Sequence, residues 1–138
     1  FWKKIGSKVD IMDAKQHDYI LSITSHIPHL IAYNIVNTTL NVQDKKESDI
    51  VKYSAGGLRD FTRIAASNPI MWRDVFIQNK KNTSNMIDNF IANLEDLKKA
   101  IENEDGKKLE EIFTKTKKIR KEIVKAGQDV GKPDFGRK

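Results

Sequence analysis

A candidate anion-binding site lies in the run SAGGLRDFTRIAASNPIMWRD, residues 54–74. Gly56 and its glycine neighbour carry no side chain, so the main chain can approach a ligand closely there. A helix predicted to begin at Leu58 places Asp60 and Arg63 three residues apart and therefore on one face. A guanidinium held in this way can bind a carboxylate through paired donors. The diglycine does not indicate a phosphate-binding loop, because it forms neither GxGxxG nor a motif ending in Gly-Lys-Ser/Thr.

Two imidazoles flank a proline inside an apolar helical pattern, in the run SHIPH from Ser25 to His29. Pro28 has no N–H and removes the hydrogen bond to the carbonyl of Thr24, which predicts a bend in the helix near that turn. Ser25, His26 and His29 flank this bend. Hydrogen-bonded histidines at a tolerated kink are the simpler interpretation of the residues alone, and a binding site is the alternative.

Metal binding is not predicted from the histidines. His26 and His29 share a helical face, but His17 stands nine residues before His26. Adding Asp18 does not complete a recognised ligand set. The chain has no cysteine, and this excludes disulfides, thiolate ligands and a cysteine nucleophile.

A bent core helix is predicted to carry the histidines. Asp13 followed by Gln16 is typical of a capped helix N-terminus, and apolar residues then recur at helical spacing as far as Thr38. Residues further along the chain extend the same helical pattern, so the predicted fold class is all-α.

A short strand is predicted just before that helix. In residues 8–12 (KVDIM) the apolar residues alternate with others. One strand cannot bury itself, so we interpret it as the last strand of a sheet that lies upstream. On this interpretation residues 1–12 are the end of a preceding domain and residues 13–138 form a helical domain.

A long antiparallel helix hairpin is predicted for the second half of the chain. Asn68 and Pro69 are typical of a helix start, and the first helix is expected to run from Pro69 to about Glu102. An Asp-Gly turn at Asp105 leads into a second helix that ends at Gly127. Each helix carries one apolar stripe, which can be buried within the hairpin or against a second copy of the chain.

Composition restricts the classes of function. The 138 residues are 38% hydrophobic and 32% charged, with a formal net charge of +6, which favours one elongated helical domain. Basic and acidic residues are interleaved, so the charge indicates solvated helix faces. A basic helical module that binds nucleic acid or a partner helix is the alternative, and a salt-dependent gel shift would separate the two. No apolar run has the length of a membrane span, and a cytoplasmic location is expected.

Two motifs resemble the prephenate and arogenate dehydrogenases, also called cyclohexadienyl dehydrogenases. The run at residues 54–74 resembles the substrate-side motif of that family, and His17-Asp18 with Ser25–His29 resembles its other helical-domain motif. The order and spacing of the motifs fit, and the likeness extends to the closing AGQDVGKPDFGRK. The resemblance implies the C-terminal helical substrate-binding and dimerisation domain of an enzyme of tyrosine biosynthesis.

The resemblance also implies roles for individual residues. Arg63 would bind a carboxylate of prephenate or arogenate, and His29 would assist by donating a hydrogen bond to the substrate. The other implied substrate contacts are Ser25, Asp60, Gly56 and Trp72. For Trp72, packing at the end of a helix is the alternative.

NAD or NADP is the implied cofactor. In the resembling family it is bound by a Rossmann-type domain before this region, which also carries the main catalytic histidine. No residue of this chain is therefore expected to bind the cofactor. The expected partner is a second copy of the chain, in a homodimer. The sequence leaves open the choices between prephenate and arogenate and between NAD and NADP.

Overall fold

The computed structural model describes residues 1–43, Tyr53 and residues 55–127. Every regular element in that part of the chain is helical, which confirms the all-α fold class. None of its helices is both long enough and apolar enough to cross a membrane. The closing motif lies outside the described residues from position 128 onward.

The chain divides into two compact units. The first combines Phe1–Tyr53 with Phe61–Ile87, and the second combines Ser54–Asp60 with Asp88–Lys138. The predicted domain boundary at residue 13 is not one of these divisions and stays a prediction.

The core helix consists of three consecutive segments: α1 (Ala14–Leu21), a π-helical turn (Ser22–His26) and α2 (Ile27–Gln43). Asp13 caps α1, since its carboxylate accepts a hydrogen bond from the N–H of Gln16 at 2.9 Å. Pro28 lies at the start of α2 and lacks the N–H that an α-turn would use. The helix widens just before it, and the N–H of Ile27 donates to the carbonyl of Ser22. A π-helical turn thus precedes the proline at the place where the sequence predicts a bend.

The helix predicted over residues 69–102 is wrong as a single element. Two helices occupy that range, α4 (Pro69–Gln78) and α5 (Lys80–Glu102). They follow α3 (Gly56–Thr62) and a 3₁₀ turn (Arg63–Ala66). The start at Pro69 is confirmed, and Asn68 caps it by accepting from two backbone N–H groups. Asn79 interrupts the helix with φ −100° and ψ 33°. Its side-chain amide binds the carbonyl of Asp18 at 2.7 Å, and this contact stabilises a non-helical conformation.

The antiparallel hairpin of the second unit is confirmed. α6 (Gly106–Lys125) begins at Asp105, which accepts a hydrogen bond from the N–H of Lys108 at 2.9 Å. The ammonium of Lys108 also lies 3.7 Å from the carboxylate of Asp96 on α5. Lys108 is near the start of α6, and Asp96 lies six residues before the end of α5 at Glu102. The chain therefore turns back along α5 after Glu102, and the two helices are antiparallel. Gly127 follows α6 with φ 75°, a conformation that favours glycine.

The strand predicted over residues 8–12 is wrong. These residues have no regular structure, and Ile11 is 95% exposed. A strand needs a neighbour for its backbone hydrogen bonds, and no other strand occurs in the described part of the chain. The segment before it, Trp2–Ile5, is a 3₁₀ helix that ends at Gly6 with φ 90°.

Candidate functional site

His29 and Trp72 form a stacked pair of rings within the first unit. Their centroids lie 3.7 Å apart, with the ring planes 24° from parallel. Trp72 lies in the first turn of α4, where Asn68 and Pro69 fix the start of the helix, and it is 7% exposed. Phe76 packs on the indole one turn later, at 5.4 Å between centroids. The structure therefore brings together two of the residues that the sequence singled out.

The hydrogen bond of His29 determines which of its ring nitrogens carries the proton. Its Nδ1 lies 2.9 Å from the carbonyl oxygen of Ser25. A carbonyl only accepts, so Nδ1 carries a proton and donates it. In the neutral ring Nε2 is then an acceptor, and it donates only when the ring is protonated. The backbone carbonyl of Ser25 thus fixes the tautomer of neutral His29. Ser25 lies in the π-helical turn just before Pro28.

His26 is buried on the π-helical turn beside the stacked pair. Its Nδ1 lies 3.3 Å from Nδ2 of Asn79 and 3.4 Å from the hydroxyl of Thr83. Its ring meets Trp72 and Phe76 edge-on, with centroids 6.2 and 6.4 Å away. The His26 ring therefore contacts Asn79, where α4 ends, and also the rings of Trp72 and Phe76.

The environment of His26 favours the neutral ring. Burial lowers the pKa of His26 below its ordinary value of 6.5, because a charged imidazole loses solvation there. The carboxylate of Asp18 opposes this effect, and His17 and His29 add to it. The neutral form suits a ring whose Nδ1 is approached by an amide and a hydroxyl.

Arg63 lies on the 3₁₀ turn that packs against α2. Tyr33 of α2 donates a hydrogen bond to the carbonyl of Ser67 at 2.7 Å and so holds the end of that turn. The side chain of Arg63 is exposed. Within the described part of the chain no carboxylate forms an ion pair with it.

Gly56 and Asp60 lie on α3, within the second unit. The carboxylate of Asp60 lies 3.8 Å from Nε of Arg59, and both side chains are exposed. Such a pair contributes little to stability. A Cβ at Gly56 would meet only the guanidinium of Arg59, 3.9 Å away, so the chain itself leaves room for a side chain there.

Sequence reasoning missed the polar residues that surround His26. The predicted continuous helix includes Asn79 and Thr83, yet both are buried and both approach His26. An asparagine inside a helical pattern competes with backbone hydrogen bonding and is a signal for an interruption. Across the described residues, no group of three or more His, Cys, Asp or Glu side chains could hold a metal ion.

The first unit is an all-helical domain that holds a histidine–tryptophan pair beside a π-helical turn. Residues 13–115 match the family model described as prephenate dehydrogenase, dimerization domain. The chain belongs to the prephenate dehydrogenase family.

Individual relatives agree with this assignment. The chain is 40% identical over 120 residues to a cyclohexadienyl dehydrogenase from Zymomonas mobilis, covering 87% of this chain and 41% of the relative. It is 34% identical over 109 residues to a prephenate dehydrogenase from Bacillus subtilis, covering 79% of this chain and 29% of the relative. The chain therefore spans less than half the length of these relatives.

Two solved structures share the fold. One is the prephenate dehydrogenase from A. aeolicus in complex with hydroxyphenyl propionate and NAD+, with a TM-score of 0.82 and 41% identity, covering 88% of this chain and 42% of that one. The other is the Synechocystis arogenate dehydrogenase, with a TM-score of 0.75 and 20% identity, covering 87% of this chain and 44% of that one. At that identity the second similarity concerns the fold alone.

Proposed function

We propose that this chain is the substrate-binding and dimerisation part of an NAD(P)-dependent prephenate or arogenate dehydrogenase. The reaction is the oxidative decarboxylation of prephenate to 4-hydroxyphenylpyruvate, in tyrosine biosynthesis. Family membership and the names of the relatives support this class of reaction. The complex of the A. aeolicus enzyme with hydroxyphenyl propionate supports a ring-bearing carboxylate as ligand. A cytoplasmic location belongs to the same proposal.

Arg63 is proposed to bind a substrate carboxylate. Prephenate is a dianion, and a guanidinium offers it paired donors that an ammonium lacks. The exposure of Arg63 and the lack of an ionic partner within the described part of the chain support this role. Asp60 and Gly56, on α3, are proposed as further substrate contacts.

His29 is proposed to assist the reaction through Nε2, because Ser25 occupies its Nδ1. A neutral ring would accept a hydrogen bond from the ring hydroxyl of the substrate. A hydrogen bond from Nε2 to a carboxylate requires the protonated ring. Trp72 covers one face of the imidazole, which leaves its edge for such a contact.

The nicotinamide accepts the hydride in this reaction, and this chain does not supply its site. A Rossmann-type site uses a strand, a GxGxxG turn and a helix, and the sequence contains no GxGxxG. NAD or NADP is therefore proposed to bind another part of the protein. The 138-residue chain alone should produce no NADH from prephenate and NAD. Steady NADH production by it would contradict this assignment.

The observation that carries the proposal is the arrangement around α2. This helix bears His29, stacked on Trp72, and it packs against the turn that carries Arg63. An imidazole edge and a guanidinium with no ionic partner among the described residues thus lie on two elements that contact each other. Both groups suit the recognition of a carboxylate-bearing substrate.

The test is Arg63→Ala in the full-length enzyme. Loss of a charged hydrogen bond should weaken binding of prephenate by about 1.5 to 3 kcal/mol, seen as a higher KM. Arg73→Ala is the matched control, because Arg73 is exposed and already paired with Asp74 at 2.8 Å. An unchanged KM for Arg63→Ala, or an equal change for the control, would refute the role of Arg63.

Homodimer formation is the second part of the proposal. The family model describes a dimerization domain, and α5 and α6 expose large apolar side chains. Side chains of this kind are favoured at the interface of two copies. Binding of nucleic acid is not part of the proposal, and a gel shift at low salt should show none.

A further inference from the structure

Asn79, in the first unit, is the single residue between α4 and α5. It is buried, and it separates α4 from α5. Its backbone leaves the helical region, at φ −100° and ψ 33°, which aims its side chain at the core helix. A buried amide at a break between two helices has to satisfy its own hydrogen bonds.

The orientation of the Asn79 amide follows from its partners. The carbonyl oxygen of Asp18 lies 2.7 Å from Nδ2, and a carbonyl can only accept, so this atom is the NH₂ group. The Oδ1 atom accepts from Nδ2 of Asn82 at 2.9 Å. The second N–H of Asn79 is then left for Nδ1 of His26, 3.3 Å away.

This amide fixes the tautomer of His26. The Nδ1 atom of a neutral ring can accept from Asn79 only if it carries no proton. The hydroxyl of Thr83, at 3.4 Å, can donate to this nitrogen or accept from it, so it fits the tautomer that Asn79 determines. The proton of neutral His26 is therefore on Nε2. His29, three residues later, has the opposite arrangement, with its proton on Nδ1.

The Trp72 indole depends on its ring neighbours for orientation. Its Nε1 is buried and has no hydrogen-bond partner within the described residues. The indole contacts the rings of His26, Phe76 and His29. Trp72 therefore lies in contact with both imidazoles, at centroid distances of 6.2 Å to His26 and 3.7 Å to His29.

We propose that Asn79 is a positioning residue, which holds His26 as the Nε2–H tautomer and thereby fixes the Trp72–His29 stack at the substrate site. The statement about the substrate rests on the function proposed above. The statement about the tautomer rests on the hydrogen bonds alone. Asn79 itself touches neither substrate nor cofactor in this assignment.

The tautomer is tested directly by long-range ¹H–¹⁵N NMR of the histidine side chains in the 138-residue chain. His26 should show a protonated Nε2 and a bare Nδ1 at a pH where the ring is neutral. His29 should show the reverse. A protonated Nδ1 on neutral His26 would overturn the inference, and no variant or activity is needed for this result.

Asn79→Asp is the informative substitution, because it keeps the shape and removes the NH₂ group. An acceptor would then face Nδ1 of His26, which should draw a proton onto that nitrogen. In the full-length enzyme we expect KM for prephenate to rise about tenfold, equal to about 1.4 kcal/mol, with kcat changed less than about threefold. A merely structural role of Asn79 would lower stability but leave KM of the folded variant unchanged.

Two further variants keep the proposal falsifiable if Asn79→Asp does not fold. His26→Asn retains an acceptor near the position of Nδ1 but loses the ring, so it should fold better than His26→Ala and still raise KM. Asn82→Ala removes the partner of Oδ1 and leaves the bond from Asn79 to His26, so it should change KM less than about twofold. Equal KM values for wild type and His26→Asn would overturn the positioning role.

The outcomes separate this inference from the proposed function. If Arg63→Ala leaves KM unchanged while His26 has its proton on Nε2, the proposed function fails and the tautomer assignment stands. If Arg63→Ala raises KM while Asn79→Asp shifts the His26 proton without changing KM, the function stands and the positioning role is refuted.

Discussion

Within the described part of the chain, the two units differ in the polar side chains that they bury. The buried polar side chains of the first unit are hydrogen-bonded to one another or to the backbone: Ser22, His26, Asn79 and Thr83. Buried polar side chains occur only in the first unit among the described residues, whereas both units expose large apolar side chains. In the second unit the exposed apolar side chains form a stripe on the hairpin: Ile91, Leu94, Ile101, Phe113, Ile119 and Ile123. A buried polar network favours a single arrangement of its members, whereas an exposed apolar stripe favours association. The buried polar network is thus a feature of the first unit, and the apolar stripe of the hairpin is the surface on which the proposed dimer can be tested.

The largest expected effect is the loss of stability in Trp72→Ala. A buried tryptophan replaced by alanine leaves a cavity and typically costs about 3 to 5 kcal/mol. Urea denaturation of the chain measures this change. Trp2→Ala is the matched control, since Trp2 is 62% exposed and its removal should cost less than about 0.5 kcal/mol. Similar losses in both variants would show that the first unit is not organised around Trp72.

Dimerisation should be sensitive to charge on the stripe of the second unit. Leu94 is 53% exposed, so Leu94→Lys should change the fold of one chain little. In a dimer it would bury an ammonium, which costs several kcal/mol and should weaken association by at least about 100-fold. Analytical ultracentrifugation measures the change.

Glu95→Lys is the control for that variant. It places a lysine at the adjacent exposed position and changes the net charge by even more. The control should remain a dimer at the concentration where Leu94→Lys is a monomer. Dimers of equal stability in both variants would contradict the role assigned to the stripe.

The sequence was sufficient to predict the elements whose causes are local. The cap at Asp13, the helix start at Asn68 and the turn at Asp105 each depend on a side chain and a backbone N–H within three residues. The all-α class and the hairpin follow from helical periodicity over long segments. Local causes of this kind are visible in a sequence without any knowledge of tertiary contacts.

The interruption at Asn79 could not be predicted in this way. Its cause is the carbonyl of Asp18, which is 61 positions away in the sequence. The surroundings of His26 depend on the same long-range packing, so the sequence indicated the histidines but not their partners. The strand over residues 8–12 was predicted from alternation alone, and a strand also requires a neighbour that the sequence pattern cannot show.

The two aspartate caps offer a direct comparison of the units. Asp13 in the first unit and Asp105 in the second each accept one backbone N–H at 2.9 Å. Asp→Ala at either position should cost about 1 kcal/mol. If the units unfold together, thermal unfolding will show one transition that both variants lower equally. If they unfold separately, each variant will lower only one of two transitions, and an effect near zero for both would refute the capping roles.

The smallest expected effect is a pH dependence of stability that comes from His26. Burial lowers the pKa of this ring in the folded chain, so near pH 6 the unfolded chain binds more protons there than the folded chain. The free energy of unfolding should therefore rise with pH through the ordinary pKa of 6.5 and fall as the pH drops toward the lower folded value. His26→Asn removes this titration, and urea denaturation between about pH 5 and pH 8 should show a weaker pH dependence in the variant. An identical pH dependence in both proteins would mean that protonation of His26 is not coupled to folding. The buried polar network of the first unit would then contribute no more to the pH dependence of stability than the exposed charged side chains of the hairpin.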